Sequence, residues 1–375
     1  MIFLKRQKLS KNVVILHPAY WEQARGGAEL QISYLVDSLL RRGHKVHYVF
    51  EDLGTEINND LKIHLYPLKK SVIRSKRFGS RWIFYHKRIN EILNELGPDV
   101  IYTRLFSSWT GLASNFALKS GAKHIWALAS DIDITRLQRS TSIFKPFDII
   151  EKKWVKHAFY NATSIIVQNN YQEEGLKRLY GRNGVFFRQS GFPCTDTIVK
   201  DKDTLNVLWI ANFKPIKRPE IFINLLDFFN DTSNIRFTMI GRIQPMYRDL
   251  VNEAMGRYRN FDYLDELNSK SVSDCLSNAD VLVNTSLHEG FSNTFVEAWM
   301  RKVVVISMNS NPDHILTEQN IGFVAPNVND IADIINYLKN NPEKCDDMGE
   351  RALKYATEFH SYEKNISKVL NLIEL

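Results

Sequence analysis

One order of elements occurs twice along this chain and narrows its architecture more than any other feature: apolar strand, short loop, helix with one apolar face, strand. In the first half, Val13–His17 reads as a strand and Gly26-Gly27 as a loop. Ala28–Leu40 follows as a helix with Ile32, Leu35, Val36 and Leu39 on one face, then Val46–Phe50 as the next strand. Strand candidates at Val100–Tyr102, His124–Leu128 and Ser164–Gln168, with helical stretches between them, give the pattern of a doubly wound parallel sheet. After the charged segment Asp196–Asp203 the order restarts, with strand Asn206–Ile210, helix Glu220–Phe229, strand Arg236–Ile240, Gly241, strand Val281–Asn284, helix Thr294–Arg301 and strand Val303–Ser307. Two α/β lobes joined by a polar linker are therefore expected, with a ligand where strand C-termini meet helix N-termini. The length of 375 residues fits two lobes, because single cores stop growing near about 250–300 residues. The final helices, from Asp347 on, could join either lobe.

Hydrophobic residues at 44% and aromatics at 12% can fill two cores, and no tract is biased enough to imply disorder. Cys194, Cys275 and Cys345 are far apart and form no CxxC, which argues against a disulfide framework or a zinc site; they read as small buried fillers. Met1–Ser10 has its apolar residues interrupted by Lys5, Arg6 and Lys8, so no signal peptide or membrane span is expected and the chain should stay in the cytosol. The net charge of +7 divides unevenly: residues 1–195 carry +14 and residues 196–375 carry −7. One lobe should face something anionic, and the other should not.

The stretch His288–Met300, HEGFSNTFVEAWM, sets Glu289 and Glu297 eight positions apart around a polar loop that runs into a helix. Amides near Ser292, Asn293 and Thr294 lie at that helix's N-terminus, where unpaired N–H groups and the positive dipole end favour a phosphate or diphosphate without a metal. Glu297 falls in the first helical turn, where its carboxylate could accept two hydrogen bonds from a vicinal diol such as a ribose; Glu289, across the loop, could hold a sugar. The same residues also read as a capping box, Thr294-x-x-Glu297, with Glu289 a solvated loop charge. Taken alone, they leave both readings open.

The wider segment Ala279–Ser307, ADVLVNTSLHEGFSNTFVEAWMRKVVVIS, resembles the E-x7-E region of the family-4 retaining glycosyltransferases, which have the GT-B fold. GGAELQISYLVDSLLRRGHKVHYV is similar to the family's first glycine loop and helix, and NATSIIVQNNYQEEGLKRLYG to the last section of its N-terminal lobe. NVLWIANFKPIKRPE resembles the start of its C-terminal lobe and TEFHSYEKNISKVLNLI its closing helix; the likeness is faint between about Asp52 and Tyr102. The resemblance implies two Rossmann-like doubly wound parallel-sheet lobes facing a central cleft. Residues 1–195 would be the acceptor-binding lobe, 196–355 the nucleotide-sugar donor-binding lobe, and 356–375 a helix crossing back to the N-terminal lobe.

It further implies that Glu297 binds the donor ribose, that Glu289 contacts the donor sugar, that the backbone at Asn293 and Thr294 cradles the diphosphate, and that Gly290, Phe291 and Ser292 of the same loop also belong to the donor site. Lys217 matches the family lysine on that diphosphate, where a fixed ammonium stabilises the charge that builds on the leaving group. Gly26 and Gly27 fit a close backbone approach to donor phosphates or the reacting sugar, or simply a helix-start turn. Two departures stand out. Where most relatives have glycine-arginine, this chain has Ala211-Asn212, so one cation is missing, and Arg218 or Arg242, beside Gly241, could supply it. No histidine stands near Ser130, and His124 lies within a strand and reads as structural. Asp131-Ile132-Asp133 looks like the metal-binding DxD of the other major glycosyltransferase fold but lies in the wrong lobe, so no metal and no cofactor are expected; Ser130 and Asp131 remain acceptor-side or cleft-lining candidates.

Residues 69–88, KKSVIRSKRFGSRWIFYHKR, hold eight Lys or Arg and no Asp or Glu, interleaved with aromatics. Lys69, Lys70, Arg74, Lys76, Arg77, Arg81 and Trp82 are thus candidates to contact an anionic membrane surface, although a solvated face or nucleic acid would also suit the charge. No nucleic-acid module is recognisable, so no nucleic-acid partner is expected. The expected function is a metal-independent, retaining hexosyltransferase acting in the cytoplasm, peripheral to the membrane. It would move a sugar from a nucleotide sugar, UDP-linked in preference, to a cell-surface polysaccharide, lipopolysaccharide or lipid-linked oligosaccharide in cell-envelope biosynthesis. A nucleotide-sugar epimerase of the same fold and a degenerate, membrane-associated scaffold are the alternatives.

Overall fold

The computed structural model covers the apolar runs on both faces, as continuous β-branched strands require. Val13 through Leu16, Val46, Tyr48, Val49 and Phe50 are buried, and so are Val281–Val283 and Val303–Ile306. The structure describes residues 10–24, 26–57, 61, 63–69, 82–192, 200, 203–230 and 232–375. Two units result, one of Met1–Arg188 with Glu363–Leu375, the other of Gln189–Tyr362.

The first unit holds β1 (Asn12–Leu16), β2 (Lys45–Glu51), β3 (His64–Leu68), β4 (Val100–Arg104), β5 (Lys123–Ala127), β6 (Ser164–Val167) and β7 (Val185–Phe186). They form a parallel sheet in the order β3-β2-β1-β4-β5-β6-β7. The second unit repeats the scheme with β8 (Leu205–Ile210), β9 (Ile235–Ile240), β10 (Phe261–Leu264), β11 (Val281–Asn284), β12 (Val304–Ser307) and β13 (Gly322–Val324), ordered β10-β9-β8-β11-β12-β13. Both sheets are doubly wound α/β. In each, the chain leaves the first strand toward one side and returns for the fourth on the other, so β1/β4 and β8/β11 are the points where strand order reverses. Loops leaving the strand ends at such a point part from one another, which makes it the place where open α/β sheets bind ligands.

The last helix, Tyr362–Glu374, belongs to the first unit beyond its first residue, and Glu374 there binds Arg42 at 3.1 Å and His44 at 3.3 Å. Two helices differ from the sequence expectation. Glu220–Phe229 is an α-helix over Pro219–Leu225 followed by a 3-10 turn over Leu226–Phe229. The helix after β11 runs Asn293–Trp299 with Ser292 as its N-cap, one residue earlier than expected. That shift moves Glu297 out of the first turn, and it leaves Thr294 and Glu297 out of capping-box register, which needs the hydroxyl at the N-cap itself. Among the described residues, no helix is long and apolar enough to cross a membrane.

Candidate active site

At the second unit's reversal point, the loop leaving β8 and the loop leaving β11 are stitched together by four bonds. Thr285 Oγ1 donates to the Lys217 carbonyl at 2.6 Å and accepts from Trp209 Nε1 at 2.8 Å. Arg218 Nε donates to the Thr285 carbonyl at 2.7 Å, and the Leu287 amide to the Ile216 carbonyl at 2.8 Å. Arg218 takes this position at φ +47°, between the 3-10 turn Pro215–Lys217 and the helix beginning at Pro219. A left-handed arginine costs on the order of 1–3 kcal/mol and persists only where its surroundings hold it. Strain of this kind concentrates at functional sites.

On this frame the Lys217 ammonium forms an ion pair with the Glu289 carboxylate, which also accepts from Ser286 Oγ at 2.7 Å. Both side chains keep access to solvent, 25% exposed for Lys217 and 15% for Glu289. The structure therefore brings together Lys217, Arg218 and Glu289, three of the residues singled out from sequence. Arg242 is engaged elsewhere, with Nε and Nη2 both on Glu266 Oε2, at 2.8 and 2.5 Å. Gly241 has φ +141°, and a Cβ there would overlap the Ala211 carbonyl oxygen. Its place in the fold is to let the turns after β8 and β9 run side by side, where the Ala211 amide reaches the Ile240 carbonyl at 3.1 Å and the Phe213 amide the Arg242 carbonyl at 3.0 Å.

Further along the second loop, Ser292 Oγ and Thr294 Oγ1 bond each other at 2.8 Å at the start of the helix, beside Asn293. Gly290 is buried in the turn. Phe291 corrects a sequence expectation: its ring is 4% exposed and packs 4.7 Å from His360 and 6.0 Å from Trp299. It is a core side chain, with only its main chain, whose carbonyl accepts from Gln189 Nε2, left for other contacts. Glu297 is half-buried, and burial pushes its carboxyl up to about 7, only partly opposed by Arg301. Arg301 directs its guanidinium to the Glu297 carbonyl, at 3.0 Å, and to Ser273 Oγ.

The first unit's reversal point holds a pair that the sequence reading passed over. His17, directly after β1, places Nδ1 2.7 Å from the carbonyl of Arg104 at the end of β4, and Nε2 3.0 Å from Glu29 Oε1. Burial works to raise the Glu29 carboxyl, but His17, its own backbone amide and Arg104 outweigh it and hold it below the usual range. Gly26 is extended and unstrained, and a Cβ there would crowd the Glu29 carboxylate; Gly27 begins the helix Gly27–Arg41. The signal in the sequence was a histidine closing an otherwise apolar strand and a glutamate three residues after Gly26.

Ser130 and Asp131 follow β5. Asp131 Oδ1 accepts from Asn169 Nδ2 at 2.8 Å and Gln172 Nε2 at 2.9 Å, while Asp133 Oδ2 takes the amides of Ala129 and Ser130. Burial raises the Asp133 carboxyl to about 6 against those two amides, Arg136 and Arg104. The two aspartates are thus turned to separate neutral donors. Among the described residues, no three or more His, Cys, Asp or Glu side chains gather as a metal would require. His124 is fully buried between Thr103 Oγ1 and Ser114 Oγ, and burial lowers it to about 3. Of the basic segment, Lys70, Arg74, Lys76, Arg77 and Arg81 lie outside the described residues, as does Cys194. Lys69 is exposed, whereas Trp82 is half-buried against the cluster of Ile89, Leu93 and Trp109.

Over 174 residues, 44% of the chain, the sequence is 31% identical to a poly(ribitol-phosphate) alpha-N-acetylglucosaminyltransferase of Staphylococcus aureus, and it spans 34% of that relative's length. Among solved structures, sucrose-phosphate synthase of Thermosynechococcus elongatus is 15% identical with a TM-score of 0.76, over 96% of this chain and 98% of that one. Anabaena HepE, in complex with UDP and glucose, is 14% identical with a TM-score of 0.73, over 97% and 99%. WaaG, a glycosyltransferase involved in lipopolysaccharide biosynthesis, is 13% identical with a TM-score of 0.75, over 96% and 99%. Residues 25–185 match the family model described as glycosyltransferase family 4, and residues 196–355 match glycosyl transferases group 1. With most of the chain inside these two matches and the two-sheet fold shared with those structures, the chain belongs to the GT-B glycosyltransferases of family 4 and group 1.

Proposed function

We propose that the protein transfers a sugar from a nucleotide sugar, UDP-linked in preference, to a cell-surface glycan or its lipid-linked precursor, with retention at the anomeric carbon and without a metal. The observation that carries this reading is the Lys217–Glu289 pair spanning the β8 and β11 loops at the strand-order reversal. An incoming diphosphate draws the Lys217 ammonium from its carboxylate partner, and Glu289, released, accepts hydrogen bonds from the donor sugar. Charge growing on the leaving diphosphate then meets a lysine already fixed in place, with Arg218 in the same loop standing in for the cation absent at Asn212. Glu297 accepts from the ribose diol, and the main chain at Asn293 and Thr294 lies alongside the diphosphate. No side chain is given the role of base; the leaving phosphate takes the acceptor hydroxyl's proton on the face where the bond breaks.

The UDP preference draws support from HepE, whose structures hold UDP and UDP-glucose, and from the Staphylococcus aureus relative's N-acetylglucosaminyl transfer. That relative's poly(ribitol-phosphate) acceptor and WaaG's part in lipopolysaccharide biosynthesis support a cell-envelope acceptor. Such an acceptor suits a protein working in the cytoplasm at the membrane surface. The test is transfer in excess chelator from UDP-glucose, UDP-N-acetylglucosamine and GDP-mannose to glycan and lipid-linked acceptors, with product anomers read by NMR. An α-linked product, kcat reduced in Lys217→Ala and KM raised in Glu297→Ala are expected. An epimerised donor formed without acceptor would establish the epimerase instead, and unchanged kinetics in both variants would remove the site assignment.

A further inference from the structure

Outside the two reversal points, the first unit carries a surface that the proposed transfer leaves unused: residues 138–145 and the helix Pro146–Asn161 that follows them. The Ser142 carbonyl accepts the Lys145 amide at 2.9 Å and Ser142 Oγ accepts the Phe144 amide at 3.3 Å, closing a tight turn. That turn lifts Ile143 and Phe144 into solvent at 79% and 78% exposure, the largest among the described large apolar side chains apart from the terminal Leu375. Single exposed apolar residues are ordinary; two adjacent ones at the tip of a turn, with exposed Arg139 and Lys145 in the same loop, are not. Arg139 and Lys145 are exposed in the same loop and Lys153 and Lys156 farther along the helix, and the Lys152 ammonium holds the Arg139 carbonyl, tying loop to helix. The two acidic residues among them add little outward charge, since Glu151 is 2% exposed and held by the Ser108 amide and Arg136, leaving Asp148 alone at the helix start.

The support beneath is rigid. Val155, Ala158 and Phe159 are buried in the unit's core, and Gly111 on the neighbouring helix admits the Trp154 main chain so closely that a Cβ there would overlap it. Phe84, 41% exposed at the edge of the aromatic and basic segment read from sequence, meets Phe147 edge-on with centroids 5.0 Å apart. Beside the helix lies a recess of about 450 Å³ with Leu137, Ile149 and Leu179 in its wall and Lys152, Lys153 and Lys156 among its lining. An apolar tip, exposed cations on its loop and on the following helix, and a recess both apolar and cationic suit an amphiphile with an anionic head.

We propose that this surface docks the protein on an anionic phospholipid bilayer, with Ile143 and Phe144 entering the interfacial layer and Arg139, Lys145, Lys153 and Lys156 meeting headgroup phosphates. Its purpose rests on the membrane-proximal acceptor reading above, but its test does not involve sugar transfer. Vesicle flotation of the full chain is expected to show binding to phosphatidylcholine vesicles containing about 30 mol% phosphatidylglycerol and none to pure phosphatidylcholine. Ile143→Asp with Phe144→Asp should weaken binding at least about tenfold, as should Lys153→Glu with Lys156→Glu, since each cation near the surface contributes about fivefold. In Phe144→Trp, brominated lipid should quench fluorescence beyond the wild-type level. All positions are exposed, so an unchanged thermal midpoint and an unchanged donor-induced shift separate failure of this proposal from failure of the donor site. Wild-type protein that ignores anionic vesicles would overturn it. So would aspartates at 143 and 144 without effect, or release by millimolar inorganic phosphate or single-stranded RNA, which would mark the surface as a reader of soluble phosphates.

Discussion

The two strand-order reversals occupy equivalent places in equivalent sheets, yet their charges are arranged in opposite ways. At β1/β4, His17 is fully buried, its ring fixed by the Arg104 carbonyl and the Glu29 carboxylate, and Glu29 is held below its usual range. At β8/β11, the Lys217–Glu289 pair reaches solvent on both sides, on a loop strained at Arg218, and Glu297 is kept half-buried at about 7. The first arrangement is settled by its own neighbours and holds a framework together. In the second, both partners keep access to solvent, the property that the proposed donor site requires.

Substitutions at each point can break or sharpen this contrast. The largest effect is expected from Lys217→Ala, with kcat lower by on the order of 10²–10³ as a fixed cation is lost from the developing charge. A comparable loss in Glu29→Gln would erase the distinction between the two points. Next, Gly241→Ala should destabilise the second unit by about 3 kcal/mol, combining backbone strain with overlap on Ala211, as read by chemical denaturation. Glu297→Gln should raise stability at pH 8 by at most about 3 kcal/mol. The sign follows from a carboxyl raised on folding: wild-type protein is most stable below its unfolded value and loses stability as pH rises through about 7, a loss that glutamine avoids. At pH 4 the two should melt together.

Glu29→Gln should do the reverse and cost about 1–2 kcal/mol near neutral pH, because a carboxyl lowered on folding contributes above its unfolded value and ceases to contribute as pH falls through the folded one. Its deficit against wild type should therefore shrink in acid. The smallest effect, below about 1 kcal/mol and without change in donor binding, is expected for Asp131→Asn, whose Oδ1 accepts from the neutral side-chain amides of Asn169 and Gln172.

The strands legible in the sequence are those covered on both faces, such as Val13–Leu16 and Val281–Asn284, where β-branched runs leave little choice. The four that were missed, β3, β7, β10 and β13, are the four sheet edges. An edge strand needs only partial burial, and Pro67 in β3 or Asp262 in β10 conceals it in a one-dimensional reading. At the site, Lys217 and Glu289 were singled out through the family resemblance, since the loop residues taken alone left both readings open. Phe291 was misplaced because an aromatic in a polar loop gives no hint that His360 and Trp299 will enclose it. His17 and Glu29 were missed because their pairing joins a strand end to a helix turn 12 residues on, with no recurring spacing to announce it.

The proposed donor site lies at the β8/β11 point of the second unit and holds its nucleotide sugar without a metal. A thermal-shift series in excess chelator tests it most directly, since a ligand bound only by the folded state at about a hundredfold over its Kd adds about 2.7 kcal/mol of stability. One UDP-sugar should raise the melting temperature of wild-type and Glu29→Gln protein and fail to raise that of Glu297→Ala. An equal shift in Glu297→Ala, or no shift with any UDP- or GDP-sugar, would contradict it.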